Sequence, residues 1–122
     1  MARVLVAAQT TVGAYPTTAQ MAANARDLDE QAGDASLGNY TPIVEGKTFV
    51  IAHNTGVGAR TITITSQPDT ITKRTGDITA YSIGAGEIAT FGPFKAVGWS
   101  NAGNLDIDVS HAEVKLAILT LP

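Results

Sequence analysis

Apolar and polar residues change rhythm part-way along this chain of 122 residues. From Lys47 onward they alternate with period two, and turn residues interrupt them at short intervals, a pattern that predicts short β-strands. Lys47 to His53 reads as one strand, ended by Asn54-Thr55-Gly56-Val57-Gly58. Arg60 to Ser66 follows, with Ile62 and Ile64 on one face and Thr61, Thr63 and Thr65 on the other. Branched threonines suit the solvent side of a pleated strand. The two runs and their Gly-rich connection predict a hairpin with a loop of five or six residues.

Gln67-Pro68-Asp69 and Lys73-Arg74-Thr75-Gly76 punctuate the next stretch, and Asp77 to Ile83 reads as a strand. Gly84-Ala85-Gly86 turns into a further strand, Glu87 to Phe91, which Gly92-Pro93 stops because proline cannot donate to a central ladder. Leu105, Ile107 and Val109 alternate with Asp106 and Asp108, giving one buried and one wet face. Val114 to Leu121 is apolar on both faces apart from Lys115 and Thr120, as in a strand covered on each side. Six or seven such strands predict an all-β protein, an antiparallel sandwich or jelly roll.

The first 40 residues differ. They are rich in Ala, Thr, Asn, Gln and Asp, and their main large apolar side chains are Val4, Leu5, Val6, Met21 and Leu28. Such a segment buries little by itself, so it must lie along the rest of the chain or order against a neighbour. The expected organisation is an N-terminal arm over 1–40 and a β-sandwich over 41–122. The arm is extended or partly helical. The start, Met1 to Ala8, reads as a first strand, its apolar run too short for a signal peptide. Thr17 to Gln31 has the makings of a short helix, with capping-box spacing at Thr17 and Gln20 and one apolar face of Met21, Ala25 and Leu28.

Composition narrows the function classes. A 44% hydrophobic content excludes a wholly disordered chain, and the longest apolar runs fall far short of the roughly 20 residues of a membrane span. Eight basic against eleven acidic residues, net −3, argue against a non-specific grip on nucleic acid. Cysteine is absent, which removes disulfides, thiolate metal sites and cysteine nucleophiles.

Candidate chemistry is thin. Gly56-Val57-Gly58 begins a dinucleotide fingerprint, but Thr61 stands where the third glycine belongs and a strand follows instead of a helix. Ala80-Tyr81-Ser82-Ile83-Gly84 imitates a nucleophile elbow inside a strand. His53 and His111 lie at opposite ends of the β-rich part, and nothing in the spacing brings them together with Asp106 or Asp108 as a metal site. Asp27, Asp29, Glu30 and Asp34 miss the calcium-loop pattern, with Gly33 one place late and Gly38 at the twelfth position. Asn39-Tyr40-Thr41 matches a glycosylation sequon. No enzyme, cofactor or metal is expected. Phe91, Phe94 and Trp99 carry much of the aromatic area and read either as a plug at one end of the sandwich or as a partner-binding patch.

The block from Asp34 to Pro122, about three quarters of the chain, resembles small structural proteins of tailed bacteriophages. Its matching features are Gly38-Asn39, Gly46-Lys47-Thr48-Phe49, His53-Asn54-Thr55-Gly56 and Arg60-Thr61-Ile62-Thr63-Ile64. Arg74-Thr75-Gly76-Asp77-Ile78-Thr79, Gly86-Glu87-Ile88-Ala89, Gly92-Pro93-Phe94 and the apolar end from Leu116 follow in order. The resemblance implies a capsid decoration, or cement, protein on the outer surface of the virion head, made in the host cytoplasm. Its partner would be the major capsid protein, bound by a homotrimer, with no nucleic acid and no membrane involved. Capsid contacts are expected in the arm, at Arg3, Val4, Leu5, Tyr15, Met21 and Leu28, and contacts between copies at Phe94 and Trp99. The alternatives are a receptor- or carbohydrate-binding β-sandwich module, with ligand loops at 67–76 or 99–104, and a tail-tube or head–tail connector component.

Overall fold

A computed structural model describes residues 2–13, 15, 17–68 and 76–122. Ten strands run through them: β1 (Val4–Leu5), β2 (Ala8–Thr10), β3 (Gln31–Ala32), β4 (Asn39–Pro42), β5 (Thr48–Asn54), β6 (Arg60–Thr65), β7 (Ile78–Ile83), β8 (Ile88–Phe94), β9 (Asn104–Val109) and β10 (Val114–Thr120). One sheet has the order β1-β4-β9-β6-β7, and the other β2-β10-β5-β8, with β3 also paired to β10. The all-β sandwich expected from the alternation is the fold. Strands β3 to β10 are antiparallel, in the orders β4-β9-β6-β7 and β3-β10-β5-β8. That connectivity is the double Greek key of a jelly roll.

The core lies between the sheets. Val50 and Ala52 of β5, Ile62 and Ile64 of β6, Leu105 and Ile107 of β9, and Val114, Leu116 and Ile118 of β10 are essentially inaccessible. Each Val, Leu or Ile among them contributes about 1.5–3 kcal/mol by leaving water. Phe94 joins this core, and Trp99 packs edge-on against it with ring centroids 4.9 Å apart. The aromatic pair therefore plugs one end of the sandwich. Along one open side, Tyr81 of β7 meets Phe91 of β8 edge-on at 5.5 Å, spanning the gap between the two sheets.

The opposite side is closed by the N-terminal segment. β1 adds in parallel to β4, and β2 adds in parallel to β10 beside β3. The sheets are therefore mixed, not purely antiparallel. Backbone bonds from Val4 N to Gly38 O (3.0 Å), Val6 N to Tyr40 O (2.9 Å) and Thr11 N to Thr120 O (2.9 Å) stitch this strap down. Val6, at the crossing from one sheet to the other, is 1% exposed and belongs to the core. The composition change at residue 40 is thus not a structural boundary: it falls inside β4, while β1 to β3 belong to the sheets.

Several local expectations are corrected. The helix over Thr17 to Gln31 reduces to one 3-10 turn, Ala19–Met21. The capping box forms, with Gln20 N donating to Thr17 Oγ1 (3.3 Å) and Thr17 N to Gln20 Oε1 (2.7 Å). The run ends at Ala22, whose backbone turns extended with ψ 155°, and the left-handed Asn24, φ 65°, follows. β5 and β6 are not a hairpin, since they belong to different sheets. Their connection is a corner held by buried Asn54, whose Nδ2 donates to Gly58 O (2.8 Å), Ile83 O (2.9 Å) and Gly84 O (3.3 Å), and whose Oδ1 accepts from Gly56 N (3.0 Å). Gly92-Pro93 does not stop β8, because β8 is an edge strand and the register shifts opposite it between Thr48 and Val50. Gly92 has φ 116°, and a Cβ there would meet Thr48 O at 2.8 Å. The turn over Lys73-Arg74-Thr75 lies outside the described residues.

Candidate functional site

Alternation along each strand gives the sandwich two outer faces of opposite character. Outside β4, β9 and β6 the sheet presents Tyr40, Asn104, Asp106, Asp108, Thr61 and Thr63, a polar surface. Outside β5 and β10 it presents Phe49, Ile51, Ala117 and Leu119, which are apolar. The apolarity of both faces of β10 was legible in the sequence. The jelly roll itself covers one face; only the strap and the segment after it partly cover the other.

That segment folds back over the apolar face. Gln9 Nε2 donates to Asp27 O (3.1 Å), Asp29 N donates to Gln9 Oε1 (3.3 Å), and Arg26 Nη1 donates to Thr10 O (3.0 Å). These bonds bring Val12, Met21 and Leu28 across from Ile51 and Leu119, around an open apolar hollow of about 430 Å³. A second hollow of about 330 Å³ adjoins it over Phe49, Ile51, Leu119 and Leu121. Met21, Leu28 and Leu121 remain 58%, 39% and 40% exposed. The pair forms a continuous apolar shelf, because Thr11, Ile51 and Leu119 line both hollows. At its far end Glu30 Oε2 pairs with His53 Nδ1 at 2.9 Å, fastening the end of the segment to β5.

The residues expected to bind partners separate into three places. Met21 and Leu28 line the shelf. Tyr15 projects almost fully into solvent, and Leu5 is half exposed on the edge strand β1 beside half-buried Val4. Arg3 acts on the other sheet: its Nη1 donates to Asp108 Oδ1 (2.8 Å), its Nη2 to Asp108 Oδ2 (3.3 Å), and its Nε lies 3.7 Å from Asp106 Oδ1. The Asp108 hydrogen bond, and then the charges of Asp108 and Asp106, hold the Arg3 pKa above its ordinary value against the opposing effect of burial. Asp106 lies on this outer face yet is covered there by its partners: it is 8% exposed and also accepts from Asn101 Nδ2 at 2.9 Å. Phe94, 4% exposed, offers a partner almost nothing, and Trp99 is half buried against it. Phe49, Ile51, Leu119 and Leu121 line this open apolar surface without having been expected to, because alternation alone does not say which apolar face stays open.

The candidate chemical groups stay apart. Asp34 Oδ1 caps its own turn by accepting from Ser36 N and Leu37 N. Glu113 takes Arg60 Nη2 at 2.8 Å, with His111 Nδ1 3.6 Å away. The sequon residue Asn39 is buried, and its side chain bonds to Asp34 N and O. Ser66 donates its hydroxyl and its N–H to Asp77 Oδ1, at 2.6 and 2.8 Å, and so holds that carboxyl below its ordinary pKa. Among the described residues no group of three or more His, Asp and Glu side chains is placed to hold a metal ion. Comparison with known proteins adds nothing to this geometry: no family model, no curated protein and no solved structure matches the chain.

Proposed function

We propose that this chain is an adhesive structural module, a capsid decoration protein of the tailed-phage type that binds the outer surface of an assembled head. The observation that supports this reading is the apolar shelf over Ile51 and Leu119, edged by Met21 and Leu28. An apolar surface on a rigid sheet, ringed by polar residues, suits a protein partner. The bacteriophage part of the proposal rests on the resemblance of Asp34 to Pro122. A head lattice would repeat one modest contact many times and act by avidity. Trimers of the chain would add to that effect.

The test is co-sedimentation with isolated, DNA-free phage heads. Removing residues 1–30 would also remove Val6 from the core, so point substitutions are needed to separate binding from folding. Ile51→Glu and the double substitution Met21→Ser/Leu28→Ser are expected to weaken head binding at least about tenfold while the melting temperature stays within a few degrees. Undiminished binding by both folded variants refutes the shelf as the contact. Absence of the wild-type chain from sedimented heads refutes the decoration reading itself.

A further inference from the structure

The polar outer face of the other sheet carries an open groove of about 390 Å³ around Arg3, Tyr40, Asn101, Asn104 and Asp106. We propose that this groove is a binding site for a neutral saccharide. It lies on the β4–β9 face and uses none of the shelf residues, so it stands independently of the decoration reading.

Its construction is specific. Tyr40 and Asp106 are direct cross-strand partners, and a tight turn places Asn101 and Asn104 beside them. That turn is closed by reciprocal backbone bonds, Asn101 N to Asn104 O at 2.8 Å and Asn104 N to Asn101 O at 3.0 Å. Both of its central residues are left-handed, Ala102 with φ 53° and Gly103 with φ 89°. An alanine in that conformation costs on the order of 1 kcal/mol where glycine or asparagine would cost little, so the turn is maintained against strain. Asn101 Nδ2 and Arg3 Nε approach the two oxygens of Asp106 at 2.9 and 3.7 Å, which orients a nearly buried carboxylate toward the groove. Among the described residues, the Asn104 amide and the Tyr40 hydroxyl make no side-chain hydrogen bond within the chain, although both residues line the groove.

The chemistry selects the ligand class. Sugar hydroxyls both donate and accept, and planar amide, carboxylate and guanidinium groups answer them in pairs. The C–H face of a pyranose ring can lie on the Tyr40 ring. The charged groups that line the groove are Arg3 and Asp106, which face each other at 3.7 Å, and Asp108 holds the same guanidinium from outside the groove, so no unpaired cation is offered to phosphates or other anions. An apolar ligand would strand the buried Asp106 carboxylate away from water. The volume falls within the range of roughly 300–1,000 Å³ usual for small-ligand sites.

The experiment is a titration of the ¹⁵N-labelled full chain, followed by amide shifts, with glucose, galactose, mannose, N-acetylglucosamine, lactose and cellobiose up to about 20 mM. Inorganic phosphate and a tetralysine peptide serve as counter-probes. At least one sugar should give saturable shifts concentrated at Arg3, Tyr40 and Asn101 to Asp106. Asn104→Ala and Tyr40→Leu should each weaken that binding about tenfold without lowering the melting temperature. Ile51→Glu, on the opposite face, should leave it unchanged. No saturable shift with any sugar, shifts centred elsewhere, or undiminished binding by both groove variants overturns the proposal. A groove that answers only tetralysine or phosphate is a charge-reading site, which overturns it equally.

Discussion

The Asn54 side chain ties the corner between the two sheets, beside backbone bonds of Asn54 to Glu87 and Gly86 and of Thr55 to Glu113, and exchanging its amide for a methyl group or a carboxylate measures what the side chain contributes. The residue is fully buried at the end of β5. Its amide nitrogen serves three carbonyls, of Gly58, Ile83 and Gly84, and its oxygen serves the Gly56 N–H. Gly84 O also accepts from Glu87 N and retains a partner without Asn54. The buried groups left most exposed to loss are therefore Ile83 O and Gly56 N. At about 1–3 kcal/mol for each stranded group, Asn54→Ala is expected to cost about 2–6 kcal/mol. A domain with a total stability of about 5–15 kcal/mol loses a large part of it. At about 4 °C per kcal/mol the melting temperature falls by about 8–24 °C.

Asn54→Asp keeps the shape and the acceptor for Gly56 but turns a negative charge toward three carbonyl oxygens. It is expected to be at least as damaging as alanine at pH 7. The folded state disfavours the carboxylate, so the folded pKa of the new group lies above its unfolded value of about 3.9. Stability relative to the wild type is then best below that unfolded value and is lost as pH rises through the folded one. Urea titrations between pH 3.5 and 8, followed by the fluorescence of the single tryptophan, Trp99, against the Phe94 plug, provide the measurement. A carboxylate variant as stable as wild type at pH 7, or an alanine variant that loses less than about 1 kcal/mol, would show that the corner is held by something other than this amide.

Two further outcomes follow from the strap and from the Ser66 corner. Val6→Ala removes two methyl groups at a 1% exposed position, and a loss of about 2–3 kcal/mol is expected, together with faster hydrogen exchange at Val4, Val6 and Thr11; unchanged exchange there would mean the strap does not depend on this anchor. Asp77 has its pKa lowered by the Ser66 hydroxyl and N–H, so its contribution is present above the unfolded carboxylate value and fades as pH falls through the folded one. Asp77→Asn should therefore lower the melting temperature at pH 7 and lose that effect as pH falls through the depressed folded value, and a pH-independent difference would exclude the carboxylate as the cause.

Of the strands β5 to β10, β5, β6 and β9 were legible from their own two-residue alternation, β10 as a branched apolar run, and β7 and β8 from the turn residues that bound them. Ile62 and Ile64 against Thr61 and Thr63, or Leu105 and Ile107 against Asp106 and Asp108, are pairings of neighbours along the chain, which a local pattern records directly. The strap was not legible in the same way. β1, β2 and β3 are two or three residues long, and β1 and β2 pair in parallel with strands far along the chain, so no turn beside them announces the partner. The Thr17–Gln20 capping signal was real, but one turn of helix without a buried face has nothing to extend it. For the shelf, Met21 and Leu28 stood out in an apolar-poor segment. Phe49 and Leu119 did not, because they looked like ordinary members of well-covered strands.

Taken alone, the order of residues determined that this protein is all β, where its long strands run, and which side chains of β6 and β9 face inward. It determined that much because the pleat converts sequence parity into side of the sheet. Which strands become neighbours, that β5 and β6 part at Asn54 instead of pairing, and that Arg3 reaches across to Asp106 and Asp108 were decided only by tertiary structure. The same holds for the character of the two outer faces: whether an apolar face is covered depends on which distant segment lies over it, and parity along one strand carries no record of that.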